Sequence, residues 1–246
     1  MVFSMENLKF HIILPYYKRQ NIVVNALESI INSEYENWFL TFIDDSGNRG
    51  FEEVLYSYQL DQKKIEYVPI CMSDEEKTNN GGSIFGSFIN EAIKRIESDI
   101  IITLCDDDAL TKNYMKDLNE FYKNNPQTMW SYCHVLFYNP ELVSYTDATP
   151  EDISGKLNFL NKETTAIYPK NKVDSSQVSF RRNIFLDYDI GFPSPQTVAL
   201  DAYVFRETHS KIGDCPFNNI IGQCKASFQN QLGSRISTNT GQYIKN

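Results

Sequence analysis

The stretch Ile100-Ile101-Ile102-Thr103-Leu104-Cys105-Asp106-Asp107-Asp108 is a short apolar run that stops at three consecutive carboxylates. A run this apolar reads as a strand buried on both faces, the habit of central strands in parallel sheets. Three adjacent carboxylates repel one another, so a fold gathers them at a strand end only with compensation. A hard cation held by one or two of them together with phosphate oxygens supplies it. The competing reading is a solvated acidic turn ahead of a helix starting near Thr111, where Asp is favoured.

The sequence before this stretch alternates helix and strand signals. Ile84, Phe85, Phe88, Ile89, Ala92, Ile93 and Ile96 form one helix face. Further back lie a strand over Ile65–Ile70, a helical stretch over Phe51–Leu60 and a strand over Trp38–Ile43, stopped by the turn residues Asp44-Asp45-Ser46-Gly47. Helical spacing at Val23, Leu27, Ile30 and Ile31 follows a first strand, Leu8–Leu14, that ends at Pro15. This order predicts a doubly wound α/β fold: a mostly parallel sheet with helices on both faces. Ligands of such sheets bind outside the carboxyl ends of the strands. Pro15-Tyr16-Tyr17, Asp44-Asp45-Ser46 and Asp106-Asp107-Asp108 should therefore share one rim.

The second half is less regular. Met129–Tyr138 and Gln177–Phe180 read as strands and Thr197–His209 as a helix, and the chain beyond Gly222 is polar. We expect one domain over 1–246, with a nucleotide-binding half (1–110), an acceptor-binding half (111–222) and a tail or lid (223–246).

Composition narrows the class. At 246 residues, 41% hydrophobic and 22% charged, the chain is long enough to bury a large core. Its net charge of −9 argues against gripping duplex nucleic acid by phosphate neutralisation. The five cysteines are scattered without a C-x-x-C spacing and read as reduced thiols. With no apolar run of membrane-spanning length and no signal-peptide pattern, the expected location is cytoplasmic.

Four segments in order carry a family resemblance. Ile13-Leu14-Pro15-Tyr16-Tyr17-Lys18-Arg19 resembles the opening strand of inverting family-two glycosyltransferases, and Phe42-Ile43-Asp44-Asp45-Ser46-Gly47 resembles their second strand and nucleobase turn. Asn90 stands where that family has a helix asparagine, and Leu104-Cys105-Asp106-Asp107-Asp108 is similar to its D-x-D region. Val173-Asp174-Ser175-Ser176-Gln177-Val178-Ser179 and Leu200-Asp201-Ala202-Tyr203-Val204-Phe205-Arg206 look similar to the bacterial spore-coat polysaccharide glycosyltransferase.

The resemblance implies a GT-A fold and transfer of a sugar, with inversion, from a nucleotide diphosphate donor (a UDP-sugar favoured) to a glycan or other hydroxyl acceptor. It implies that Pro15 and Tyr17 border the nucleobase, with Tyr16 as a stacking ring. Asp44 would accept the imide N–H of uracil, with Asp45 as the alternative. Asp106 would face the ribose. Asp107, helped by Asp108, would hold Mn²⁺ or Mg²⁺. Asp174 would line the acceptor or sugar pocket, and Asp201 would be the general base.

Two positions depart from the pattern: Cys105 replaces the first Asp of D-x-D, and Ile84 falls where a basic residue is common. The diphosphate's cationic partner is therefore open among Lys18, Arg19, Lys77 and Arg235. Asn79-Asn80-Gly81-Gly82 reads as a flexible loop or a phosphate cradle. A sugar-nucleotide nucleotidyltransferase is a weaker alternative, because the first strand is not followed by a Gly-rich loop. A non-catalytic nucleotide-sugar or glycan binder of the same fold is the other.

Overall fold

The computed structural model describes residues 7–47, 49–58, 62–82, 84–138, 173–195 and 200–226. Strand β1 (Phe10–Tyr16) is followed by α1 (Gln20–Ile31), β2 (Trp38–Asp44), α2 (Glu52–Ser57), β3 (Ile65–Pro69), α3 (Asp74–Asn79), α4 (Phe85–Arg95) and β4 (Ile100–Thr103). Then come β5 (Asp108–Leu110), α5 (Tyr114–Asn124), β6 (Trp130–Tyr138), β7 (Val178–Arg181), α6 (Asn183–Asp187), α7 (Leu200–Ile212) and β8 (Phe217–Ala226). The strands form one eight-stranded sheet in the order β3-β2-β1-β4-β7-β6-β8-β5. The first four in sequence are parallel to one another. Strand β7 runs antiparallel to β4 and β6, whereas β8 is parallel to β6 and antiparallel to β5.

Alternation along the strands divides the core in two. Phe10, Ile12, Leu14 and Tyr16 of β1, with Leu40 and Phe42 of β2, pack against Val23, Leu27 and Ile30 of α1 and Leu118 and Tyr122 of α5. Ile13, Ile43 and Ile101 face the other way, toward Ile89 and Ile93 of α4 and Val204 and Phe205 of α7. Helices thus cover both faces, as the apolar strands require. Each fully buried Ile, Leu or Phe contributes about 1.5–3 kcal/mol.

Strand β1 has β2 on one side and β4 on the other, so the switch point of the sheet lies at its carboxyl end. The expected stop at Pro15 is corrected here. Pairing with β2 continues through Tyr16 opposite Asp44, whereas pairing with β4 ends at Ile13 opposite Thr103. After the Leu104 N–H donates to the Ile13 carbonyl (2.9 Å), Pro15 has no N–H with which to extend the β4 side. The two strands part there, and residues 104–107 turn out over the rim.

Two other expectations change. Residues 74–79 form α3, and Asn79-Asn80-Gly81-Gly82 is its carboxyl-terminal exit. Gly81 and Gly82 have φ +85° and +133°, and the Gly82 N–H closes the last turn on the Lys77 carbonyl (2.8 Å). Ser73 and Glu76 cap the helix's other end reciprocally. Residues 223–226, assigned to the tail, belong to β8 because Gln223, Cys224 and Lys225 pair with β5. Arg235 and the rest of the tail lie outside the described residues, as do 197–199 at the expected start of the helix that runs over Leu200–Ile212.

Gly86 lets α4 meet the chain at Pro193. A Cβ there would come 2.1 Å from the Pro193 carbonyl oxygen. We expect Gly86→Ala to lower stability by about 1–3 kcal/mol, as overpacking does. The check is a lower urea midpoint at unchanged m. An unchanged midpoint would mean that the 191–193 segment is not held against α4.

Candidate active site

The rim at the carboxyl ends of β1, β2 and β4 collects the expected residues. Asp44 is fully buried, and both of its oxygens are engaged. Oδ1 accepts from the amide (2.9 Å) and hydroxyl of Ser46, and Oδ2 accepts from the Tyr67 hydroxyl (2.6 Å). Asp45 is also buried and pairs with Lys77 (2.9 Å), whose Nζ donates to the Asp45 carbonyl as well (2.7 Å). Tyr16 turns into the core, its ring 4.9 Å from Phe51 and 5.4 Å from Phe42. It therefore has no free face for a base. Tyr17 points outward, 41% exposed, with the Lys18 and Lys77 ammonium groups 4.9 and 5.0 Å from its ring centroid.

The two carboxylates at the front of the acidic cluster share one cation. Arg19 Nη1 donates to Asp106 Oδ1 (3.0 Å) and Asp107 Oδ2 (2.9 Å), while the Tyr17 N–H donates to Asp106 Oδ2 (3.1 Å). Burial pushes Asp106 up to about 6 even though Arg19 pulls the other way. Of the four basic residues weighed for the diphosphate, Lys18 pairs with Asp74 (2.6 Å) and Lys77 with Asp45. Among the described residues of that set, Arg19 is the one bound to Asp106 and Asp107.

Behind them lies a second charge group. Asp108 is fully buried. Its Oδ2 accepts from Ser176 Oγ (2.8 Å) and Gln223 Nε2 (2.6 Å), and Lys225 Nζ lies 3.7 Å from Oδ1. Lys225 also pairs with Asp174 Oδ2. Burial, and then the Asp174 charge, raise Asp108 well above the usual carboxylate range. Asp174 is half-buried; desolvation pushes its carboxyl up, but Lys225 and the Ser176 N–H outweigh this and hold it below that range. Lys225 and Gln223 had no signal in the sequence, being polar residues in a polar stretch. Pairing of β8 with β5, which sets Lys225 opposite Asp108, brings them here.

Asp201 lies in the first turn of α7, where its Oδ1 accepts the Ala202 N–H (2.7 Å). Burial raises its proton affinity, and the Asp174 charge adds to the effect, so the two carboxylates are within electrostatic reach. Asn90 is placed differently. Its amide donates to the Phe192 carbonyl (2.9 Å) and accepts from the Phe192 N–H (2.8 Å), which engages both ends with the 191–193 segment.

For a divalent cation, the ligand atoms of Cys105, Asp107 and Asp108 lie within 4.8 Å of one another. Burial holds the Cys105 thiol protonated, a poor donor to a hard ion, and its Sγ sits 3.1 Å from Ser175 Oγ. Asp108 Oδ2 is occupied by its two donors. The set fits Mn²⁺ or Mg²⁺ held by Asp107, supported by Asp108, with phosphate oxygens completing the shell.

Lys225→Met would leave Asp108 and Asp174 without their shared ammonium. We expect a loss of about 1–3 kcal/mol in denaturant unfolding, since Asp108 is fully buried whereas Asp174 keeps some contact with solvent. Adding Asp174→Asn should recover part of it, since coupled sites are not additive. A purely additive double variant would contradict the coupling.

The comparisons agree with this geometry. The family model described as glycosyl transferase family 2 matches residues 11–205. WcaA of Escherichia coli (strain K12), named as a colanic acid biosynthesis glycosyl transferase, is 24% identical over 173 residues. The match covers 70% of this chain and 53% of WcaA, so the chain spans about half the length of that relative. Among solved structures, S. aureus TarS 1-349 in complex with UDP-GlcNAc superposes with TM-score 0.66 at 17% identity, covering 91% of this chain and 60% of that one. The mannosyltransferase PcManGT from Pyrobaculum calidifontis, in complex with GDP-Man and Mn²⁺, gives TM-score 0.56 at 12% identity, covering 94% and 60%. These likenesses establish the GT-A fold. With four-fifths of its length matched by the family model, the chain belongs to glycosyl transferase family 2.

Proposed function

We propose that the chain transfers a sugar from a uridine diphosphate donor to an acceptor hydroxyl, with inversion, using Mn²⁺ or Mg²⁺. The observation that carries this reading is one rim bearing an outward tyrosine, a paired Asp106–Asp107 and a desolvated Asp201 in a family 2 chain. Complexes of TarS with UDP and UDP-GlcNAc, and of PcManGT with GDP-Man, support a nucleotide-sugar donor, and the TarS complexes motivate uridine as the base. WcaA's name favours a polysaccharide hydroxyl as acceptor. A cytoplasmic location goes with this reading, and among the described residues no helix is long and apolar enough to cross a membrane.

The chain's own residues divide the work. Tyr17 offers its ring face to the base beside Pro15, with Tyr16 behind it as support. Asp44 exchanges its Ser46 or Tyr67 donor for the imide N–H of uracil, and Asp45 holds the adjoining turn through Lys77. Asp106 faces the ribose. Asp107, supported by Asp108, would hold the cation, which when bound screens the diphosphate and eases its departure. Asp174 borders the sugar, and Asn90 acts by fixing residues 191–193. As the acceptor oxygen forms its bond to the anomeric carbon and the bond to the diphosphate breaks, the hydroxyl proton passes to Asp201. Its desolvated carboxylate suits that task.

The reading is tested at the base, the metal ligand and the nucleobase turn. Asp201→Asn should keep donor affinity and lose turnover by about 10² or more, and NMR of the product of an α-linked donor should show a β linkage. Retained configuration would exclude the mechanism. Because the base must be ionised and its proton affinity is raised, the acid limb of kcat/KM should lie above the ordinary carboxylate range and disappear in Asp201→Asn. Asp107→Ala should abolish Mn²⁺-dependent UDP binding by calorimetry in a folded protein. Cytidine diphosphate should compete far more weakly than UDP, and equal competition would remove Asp44 from base selection.

A further inference from the structure

Among the described basic residues weighed for the diphosphate, Arg19 pairs with the carboxylates proposed for ribose and metal. A single nitrogen, Nη1, bridges Asp106 and Asp107 at 3.0 and 2.9 Å. The pairing uses the Asp107 oxygen Oδ2, one of only two with which that side chain can hold a cation. About a third of the Arg19 side chain is exposed, so the guanidinium can swing toward solvent without unpacking the core. Its backbone position is fixed: Lys18 takes a left-handed φ of 53°, and the Arg19 carbonyl receives the first N–H groups of α1. The neighbouring cations are tied elsewhere: Lys18 to Asp74, Lys77 to Asp45, and Lys225 to Asp174.

We propose that Arg19 is a displaceable counter-ion. It holds Asp107 against a divalent cation and yields it when a nucleoside diphosphate draws the guanidinium onto its phosphates. This rests on the donor and metal reading above. A guanidinium and a divalent ion compete for the same carboxylate lone pairs and repel each other. The bare chain therefore binds metal weakly. A diphosphate offers the planar fork a better anion, since its oxygens match two parallel N–H donors. Once Arg19 has moved, the guanidinium no longer holds the Asp107 Oδ2. Metal and nucleotide become coupled through one side chain, and by linkage each raises the affinity of the other by the same factor. The exchange also keeps the cluster neutralised throughout, with one cation replacing another.

The test is titration of Mn²⁺ by electron paramagnetic resonance, with and without saturating UDP, on the full chain, alongside calorimetry of UDP without metal. Wild type should bind Mn²⁺ at least about tenfold tighter with UDP present, within the usual span of coupling factors. Arg19→Gln should bind Mn²⁺ without UDP about fivefold tighter than wild type and bind UDP without metal about fivefold more weakly. These opposite shifts are not what a damaged site would give. Arg19→Lys, which keeps the charge but not the fork, should fall between them. It carries the test if Arg19→Gln fails to fold, and no gain in UDP-free Mn²⁺ affinity would then overturn the proposal. The same lack of gain in a folded Arg19→Gln, with wild type binding Mn²⁺ normally alongside UDP, overturns the role of Arg19 alone. Wild type that binds no Mn²⁺ even with UDP would instead bring down the metal reading on which it rests.

Discussion

Charge balance at one end of the sheet constrains the rest of this structure. Asp106, Asp107, Asp108, Asp174 and Asp201 are gathered into a partly desolvated rim, where like charges cannot all stay ionised unaided. The protein answers in three ways. Arg19 neutralises the front pair, Lys225 is set against Asp174 and Asp108 at the back, and burial pushes Asp108 toward its protonated form. The elements that deliver these groups are far apart in sequence. Arg19 comes from the β1–α1 turn and Lys225 from the last described strand, so the rim is balanced only once the sheet is complete.

The sheet's order serves that requirement. Parallel pairing of β1 with β2 and β4 places Tyr16, Asp44 and the 104–107 turn at one edge, and Pro15 ends the β1–β4 ladder where the chain must open. The antiparallel strands then carry the remaining groups back to the same edge. The Asp174–Gln177 turn precedes β7, which lies beside β4, and its Ser176 hydroxyl reaches the Cys105 amide (3.0 Å) as well as Asp108. Strand β8 returns antiparallel to β5, with Lys225 opposite Asp108. Residues from both halves of the chain therefore meet on one continuous sheet.

Cys105 sits directly before the three carboxylates. A thiol at this position adds no negative charge at the most crowded point of the cluster. Its amide and Sγ are taken up by Ser176 and Ser175. The remaining carboxylates differ in exposure and partners, with Asp107 at the front and Asp108 enclosed. Residues adjacent in sequence thus have unlike chemistry.

The sequence by itself determined the class of fold and the location of the rim. Parallel strands buried on both faces must be nearly continuous apolar runs, and the polar clusters at their ends have one edge to occupy. It also determined the family, because Ile13–Arg19, Phe42–Gly47, Asn90 and Leu104–Asp108 recur in order. Only the tertiary structure decided which side chains are exposed at the rim and which are enclosed. Tyr16 and Tyr17 are neighbours of the same type, yet strand alternation sends one into the core and the other outward. Asn90 is engaged by a backbone 102 residues away. Lys225 had no local signal at all. Exposure, pairing and proton affinity arise from contacts between distant segments, and local pattern carries no information about those contacts.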